Sequence, residues 1–521
     1  MSAATKVSRP SSMSLHKSIP TRTVVVMGGS YGGSRAAQLL AEGLPQDWRV
    51  VLVDRNSYAV LAGHEHKAFI PYINFPSGSL SDIHSCSTHV RVQATITSID
   101  DHRIILSPNL GELEQSSLEF DYAIYALGSH LPSPIDLWGH EKGRMKSSLE
   151  PTGLPKYGGT KSEGISSLQE RQKRVEAATS VLVVGGGALG IQFATDIAAV
   201  YPQKRVTLLH SRHRLLPKFD DGIHEEALQG LQELNVRVIL GERLDFESLQ
   251  HTSKKGSSEP RVVRTLSGQT ITADLLVGFS KLTSDSQVPN TKLLRDMDPR
   301  TIVTDTGLAC VLRTMQLFVP PPLKPHKFQA DNDDDNDDDV LHWLKNFTFD
   351  IEEAAGPLEL PPSSPSVADD DISPTTSSPR IPNSPYCLSP SSSTDTLVES
   401  DSCQETLYPN IFVVGDAADA FDAIKAGHTS YYQAEVAARN ILRLIQRDGK
   451  VGPAVKNDLD SELEEYAPGP PAIKVTLGMT KSVYEVNGIV GTKNDGVEDL
   501  NAAAMWAGRG ILDVSEEGMF A

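Results

Sequence analysis

Val24-Val25-Val26-Met27-Gly28-Gly29-Ser30-Tyr31-Gly32-Gly33 decides how this chain is read. The apolar run predicts a buried strand and the glycines a tight turn. Ser34 to Glu42 continues as a helix, and Arg49 to Asp54 as a second strand. Strand, glycine turn, helix and strand in that order make a βαβ unit. Gly28 and Gly33 match the first and last positions of the dinucleotide fingerprint, with Ser30 in the middle one and Gly29, Tyr31 and Gly32 completing the loop. Backbone amides of such a turn face a pyrophosphate, and serine is small enough to let it approach. Asp54 falls 21 residues after Gly33, at a strand end where a carboxylate accepts hydrogen bonds from ribose hydroxyls.

A second unit of the same form begins 157 residues later: Val181 to Val184, then Gly185-Gly186-Gly187-Ala188-Leu189-Gly190, a helix through Val200, and Val206 to Leu209. Gly185, Gly187 and Gly190 match the fingerprint in full. The same step of 21 from Gly190 lands on Ser211, between His210 and Arg212, with Arg214 beyond. No carboxylate stands there to select NAD, and arginines pair with a 2′-phosphate, so NADH and NADPH are both permitted. Arg212 is the candidate contact, and a plain solvated loop charge is the competing reading.

Arg103 to Leu106 and Phe120 to Ala126 read as the hairpin and returning strand of the first fold; residues 261–280 repeat that theme, Ile271 to Val277 closing the second. The expected class is α/β: two Rossmann-like folds of three ββα layers, one inserted in the other, plus a small C-terminal cap. Downstream, Asn410 to Val414 is a buried strand ending in Gly415-Asp416, with a helix expected over Ser430 to Gln446.

The 521 residues carry a net charge of −19, which disfavours non-specific nucleic-acid binding. That charge is unevenly placed. His326 to Thr406 holds 18 acids and 3 bases, a net −15, which leaves −4 for the rest. With Pro320-Pro321-Pro322, the acidic run Asp331 to Asp339 and a Ser/Pro-rich tail, 320–406 is expected to be a disordered insert that bears on solubility or on a protein partner not identified by the sequence. The four cysteines, Cys86, Cys310, Cys387 and Cys403, lie far apart with no CxxC or CxxxxC spacing. A disulfide scaffold, a zinc site and a dithiol redox centre are therefore not expected. No metal ligands are nominated. The first 22 residues hold four bases, six serines and no acid, and read as a disordered, uncleaved tail.

These motifs, with Val53-Asp54, Tyr125-Ala126-Leu127-Gly128-Ser129, Tyr201-Pro202 and Asn410 to Asp419, resemble the apoptosis-inducing-factor-like flavoproteins of the pyridine nucleotide-disulfide oxidoreductase type, and are similar in layout to type II NADH:quinone oxidoreductases. The resemblance covers most of residues 22–320 and 407–500. Around the tail at 1–22 and the insert at 320–406, both read from composition, it implies an FAD-binding domain over 23–150, an NAD(P)-binding domain over 151–285, a return at 286–319, the second part of the FAD domain at 407–455 and the cap at 456–521. It implies flavin contacts at Gly28 through Gly33, Asp54 and Asp416, with Lys67 in place of an arginine and a backbone contact near Ile96. The usual Ala-Thr-Gly turn is Ala126-Leu127-Gly128 here, so Gly128 is kept and the threonine hydroxyl is missing. A second Thr-Gly turn is replaced by Gly278-Phe279-Ser280-Lys281.

The implied chemistry is hydride transfer from NADH or NADPH to FAD, with electrons passing to a quinone-like acceptor. The cofactors carry the reactive atoms, so no catalytic acid or base is nominated. Lys425, His428 and Gln433 are candidates to shape the acceptor site, against a structural or solvated role. A reductase for an electron-transfer protein and a nucleotide-binding redox-sensing scaffold are the competing functions. The resemblance places the chain in the cytoplasm, with mitochondrial or membrane-surface association as the further expectation. Met505, Trp506, Met519 and Phe520 are read as core packing of the cap, with peripheral membrane contact as the alternative.

Overall fold

The structure is a computed structural model and describes residues 22–60, 69–72, 75, 77–78, 89–107, 116–130, 137–138, 157–245, 247–248, 261–278, 288–321, 406–448, 462–497, 502–507, 509–515 and 517–520. Residues 1–21 of the expected tail, most of the insert, Lys67 and Cys86 lie outside them, while Arg22 already belongs to the first strand.

The strand Arg22–Met27 sits between Trp48–Asp54 and Tyr122–Tyr125, parallel to both. Val90–Gln93 and Ser77–Gly78 extend the sheet on one side, and Tyr408–Val413 with the antiparallel Gln316–Leu317 on the other. A central parallel strand is covered on both faces, which is why its sequence is a continuous apolar run. Val24 through Met27 and Val50 through Val53 are wholly buried. On one face lies the helix Tyr31–Gly43, burying Ala36, Ala37 and Leu40, beside the long helix Gly427–Asp448. The other layer is an antiparallel sheet of Thr95–Ile99, Arg103–Ser107 and Ser116–Glu119, whose Ile99, Ile104, Leu106 and Leu118 join the same core. The chain leaves this sheet after Tyr125, returns to its edge at Gln316–Leu317, and at Tyr408–Val413 fills the place between that edge and the strand it left.

Between those points stands the second sheet, in the order Arg237–Ile239, Arg205–Leu209, Ser180–Val184 and Leu275–Gly278, all parallel. Alternate residues of Ser180–Val184 face opposite layers: Val181 and Val183 pack on the helices Ala188–Val200 and Asp221–Glu233, while Leu182 and Val184 pack on the antiparallel strands Leu244–Asp245, Arg261–Thr265 and Thr270–Ala273. One device opens both returning strands. The N–H of Thr23 donates to the Asp121 carboxylate at 2.8 Å, and that of Ser180 to the Asp274 carboxylate at 2.8 Å. Each aspartate so ties the start of a central strand to the turn entering its neighbour. Asp274 also divides the expected strand Ile271 to Val277 into a hairpin strand and a parallel one.

The C-terminal cap is not one body beside the first fold. Its antiparallel strands Ile473–Thr476, Lys481–Val486 and Ile489–Asn494 bury Val475 and Val483 in the helix-side core of the second fold. The short helix Ala502–Ala507 then crosses to the first fold, where Trp506 and Met519 pack around Ile70. Lys161 locks that end, donating to the Met519 carbonyl at 2.6 Å with its ammonium 5.4 Å from the Trp506 ring centre. Trp506 and Met519 are therefore core residues. Among the described residues no helix is long and apolar enough to cross a membrane.

Candidate dinucleotide sites

Both glycine loops are built alike. Gly28 and Gly185 each carry a positive φ, +94° and +125°, which favours glycine. Their N–H groups donate to carbonyls at the ends of the adjacent strands, Val53 and Leu209, both at 2.8 Å. A Cβ on Gly33 would overlap the Gly28 carbonyl oxygen, and one on Gly190 the Gly185 carbonyl. The third glycine thus lets the helix close on the turn that starts it. The space before the second loop is open, with no atom within 4 Å of a Cβ added at Gly187. Ser30 occupies the matching position in the first loop, at the N-cap of Tyr31–Gly43.

The ribose end differs between the folds. The Asp54 carboxylate accepts from Gly29 N–H at 2.5 Å and from Asn56 N–H at 2.6 Å. Burial pushes this carboxyl above the usual range, and the two backbone donors pull it back. In the second fold the residue that receives the equivalent amide, Gly186 N–H, is His210 through Nδ1 at 3.0 Å. The step of 21 therefore overshoots by one. Val24 faces Val50, 26 positions on, whereas Val181 faces Val206, only 25 positions on, because the second helix-to-strand connection is a residue shorter. Ser211 is displaced from the ribose position by that difference. With Nδ1 accepting, the imidazole proton resides on Nε2, which is buried with no hydrogen-bond partner among the described residues. Burial holds this imidazole neutral at lower pH than usual, opposed by the Arg214 backbone and reinforced by the nearby Arg212 charge. Arg212 is exposed on the loop beside it, and Arg214 turns away to pair with Asp221.

The Gly-Asp element closes the first site from the other end. Gly415, at φ +75°, donates its N–H to the Gln433 amide oxygen at 2.7 Å. Gln433 is buried in that role, while Lys425 and His428 are exposed. Asp416 accepts from the Ser129 hydroxyl at 2.7 Å. A hydroxyl one residue past Gly128 thus reaches the aspartate, in a turn that lacks the threonine. Ile96 pairs with Leu106 in the antiparallel layer, two residues beyond Ala94, whose N–H meets the Asp54 carbonyl at 3.0 Å.

Two side chains at the first loop carry no motif and were not read from the sequence. Tyr72 Oη lies directly over Gly29, where any Cβ would collide with it, and Arg509 Nη1 donates to the Ser34 hydroxyl at the start of the first helix. Tyr72 Oη and Arg509 Nη2 are buried without partners. Buried polar groups are normally paired, so these orphans, like His210 Nε2, fit sites that a polar ligand completes. The donor sets suit dinucleotides: Gly28 through Gly33, Asp54 and Asp416 would hold FAD, and Gly185, Gly187, Gly190 and His210 would hold NAD(P)H.

Comparison with known proteins agrees. Residues 22–305 match the model of the family described as pyridine nucleotide-disulphide oxidoreductase. The chain is 34% identical over 510 residues to Fe-regulated protein 8 of Mycosarcoma maydis, covering 95% of this chain and 96% of that one. It is 29% identical over 274 residues to ferroptosis suppressor protein 1 of Taeniopygia guttata, covering 49% of this chain and 61% of the relative. Among solved structures, reduced Bacillus anthracis CoADR-RHD superposes with a TM-score of 0.50 at 14% identity over 89% of this chain and 61% of that one, a likeness of fold. Matched loops, nested sheets and a family model that spans both agree: the chain belongs to the pyridine nucleotide-disulphide oxidoreductase family, whose cofactors are FAD and NAD(P)H.

Proposed function

We propose that this NAD(P)H-dependent flavin oxidoreductase passes its electrons directly from the flavin to a small quinone-like acceptor. The observation that carries the reading is the scatter of the cysteines. No two of Cys86, Cys310, Cys387 and Cys403 are spaced as a CxxC or CxxxxC pair, so the sequence offers no local dithiol to relay electrons to a disulfide. Cys310 is half-buried, and burial raises its thiol above the usual range, which opposes thiolate chemistry there.

When bound, FAD supplies the group that accepts hydride from the nicotinamide and returns electrons to the acceptor. The protein's share is positioning. The glycine loops would seat the two nucleotides on separate sheets, and Asp54 and Asp416 would hold the flavin nucleotide. Ser129 orients Asp416, and Gln433 orients the Gly415 turn beneath it. A neutral quinone makes no demand on surface charge, in keeping with the near-balanced framework outside the insert.

The test is anaerobic. The purified protein should show a flavin absorption band that NADH or NADPH bleaches and a soluble quinone restores. Bleaching that no quinone reverses, with fast reoxidation by an iron–sulfur protein instead, would replace this reading with the protein-reductase one.

A further inference from the structure

The first glycine loop, Gly28 through Gly33, contains no lysine or arginine, yet an FAD diphosphate carries two negative charges. Its nearest fixed anion, Asp54, has both oxygens engaged by backbone N–H groups. Cationic and hydroxyl donors come instead from distant sequence. Tyr72 lies over Gly29, with the Arg91 guanidinium 5.2 Å from its ring centre. Arg509 follows the helix Ala502–Ala507, its N–H bonded to the Trp506 carbonyl at 3.0 Å, and reaches the Ser34 hydroxyl across 475 residues of sequence. Its guanidinium carbon stands 5.8 Å from the Tyr431 ring centre.

Each side chain keeps one buried donor in reserve. Tyr72 Oη and Arg509 Nη2 have no partner among the described residues. A buried guanidinium nitrogen with nothing to donate to is costly, and a diphosphate oxygen removes that cost with a charge-assisted bond. The segment that carries Arg509 is anchored independently, by Trp506 and Met519 around Ile70 and by Lys161 on the Met519 carbonyl. Arg509 is therefore free to serve a ligand without being the segment's own attachment.

We propose that Arg509 and Tyr72 hold the diphosphate of FAD at the first glycine loop, so that the C-terminal segment completes the flavin site. This rests on the reading that FAD occupies that loop. Flavin retention then depends on the last 20 residues of the chain as well as on the fingerprint.

The experiment measures FAD dissociation constants by flavin fluorescence on the full-length wild type, R509Q, R509K and Y72F, with riboflavin as the phosphate-free probe and the thermal midpoint of each apoprotein alongside. R509Q and Y72F should each weaken FAD by about 10-fold or more, the scale of a lost charge-assisted hydrogen bond. R509K should recover part of the loss, while riboflavin affinity and apoprotein midpoints stay at the wild-type values. Unchanged FAD affinity in both R509Q and Y72F overturns the proposal alone. So does a loss matched by a lower apoprotein midpoint, which assigns both residues to packing. A wild-type chain that takes up no FAD overturns the flavin reading itself.

Discussion

Asp54 and His210 hold the same position in two copies of one fold. Each accepts the N–H of the second residue of its glycine loop, Gly29 at 2.5 Å and Gly186 at 3.0 Å. One would present a carboxylate to a bound ribose, and the other an imidazole with its proton on Nε2. A carboxylate accepts from ribose hydroxyls and repels a 2′-phosphate, whereas an imidazole N–H does neither. His210→Asp should accordingly raise the preference for NADH over NADPH by about 10-fold or more, read as the ratio of their dissociation constants. A ratio equal to that of the wild type would remove His210 from the nucleotide site.

Gly33 and Gly190 should separate the two cofactors. Alanine at either forces its helix away from the turn, at a cost of about 1–3 kcal/mol by analogy with overpacking. Gly33→Ala should lose flavin absorbance and keep nicotinamide affinity, and Gly190→Ala should do the reverse. Titration of each variant with both cofactors checks the pairing.

Asp416 is held by the Ser129 hydroxyl at 2.7 Å. Asp416→Ala should lower the flavin content of the purified protein while leaving NAD(P)H affinity within about twofold, and Ser129→Ala should give a smaller loss in the same direction. Flavin content at the wild-type level in Asp416→Ala would show that this aspartate does not reach the cofactor.

Burial pushes the Asp196 carboxyl, on the helix Ala188–Val200, up to about 7. The folded state then holds a proton that the unfolded state gives up near pH 4, so stability falls as pH rises from about 4 to 7 and levels off above that. Asp196→Asn removes the penalty. At pH 8 it should be more stable than the wild type by about 1–2 kcal/mol in denaturant titrations, and the gap should close below about pH 5.

Asp298 behaves in the opposite sense. The hydrogen bond from Arg300 leads the effects that hold its carboxyl down at about 2, and the Tyr408 hydroxyl adds a bond at 3.0 Å. A depressed folded value stabilises the protein above about pH 4, and that contribution is lost as pH falls toward 2. Asp298→Asn should cost about 1 kcal/mol at pH 7 and flatten the acid limb of the stability profile.

Much of the framework was legible because it is written locally. A run such as Val181 to Val184 followed by Gly185 states both a strand buried on two faces and a turn that only glycine adopts. The helix Lys161–Ala177 has a local signature of the same kind. Thr160 and Glu163 form the capping box that marks its start, with the Glu163 carboxylate accepting from Thr160 N–H at 3.2 Å. Asp54 and Asp416 follow from fixed positions relative to a strand end, where spacing is set by the sheet.

By itself the sequence determined two dinucleotide folds, their glycine loops and the absence of a local dithiol, since each depends on neighbours within a few dozen residues. Only the tertiary structure decided that His210, and not Ser211, matches Asp54, because a connection one residue shorter shifts the count without leaving a motif. It alone divided the cap between the two folds and carried Arg509 to Ser34. Contacts of that kind are selected by the packing of Trp506 against Ile70, and no periodicity along the chain records which distant surface a side chain will meet.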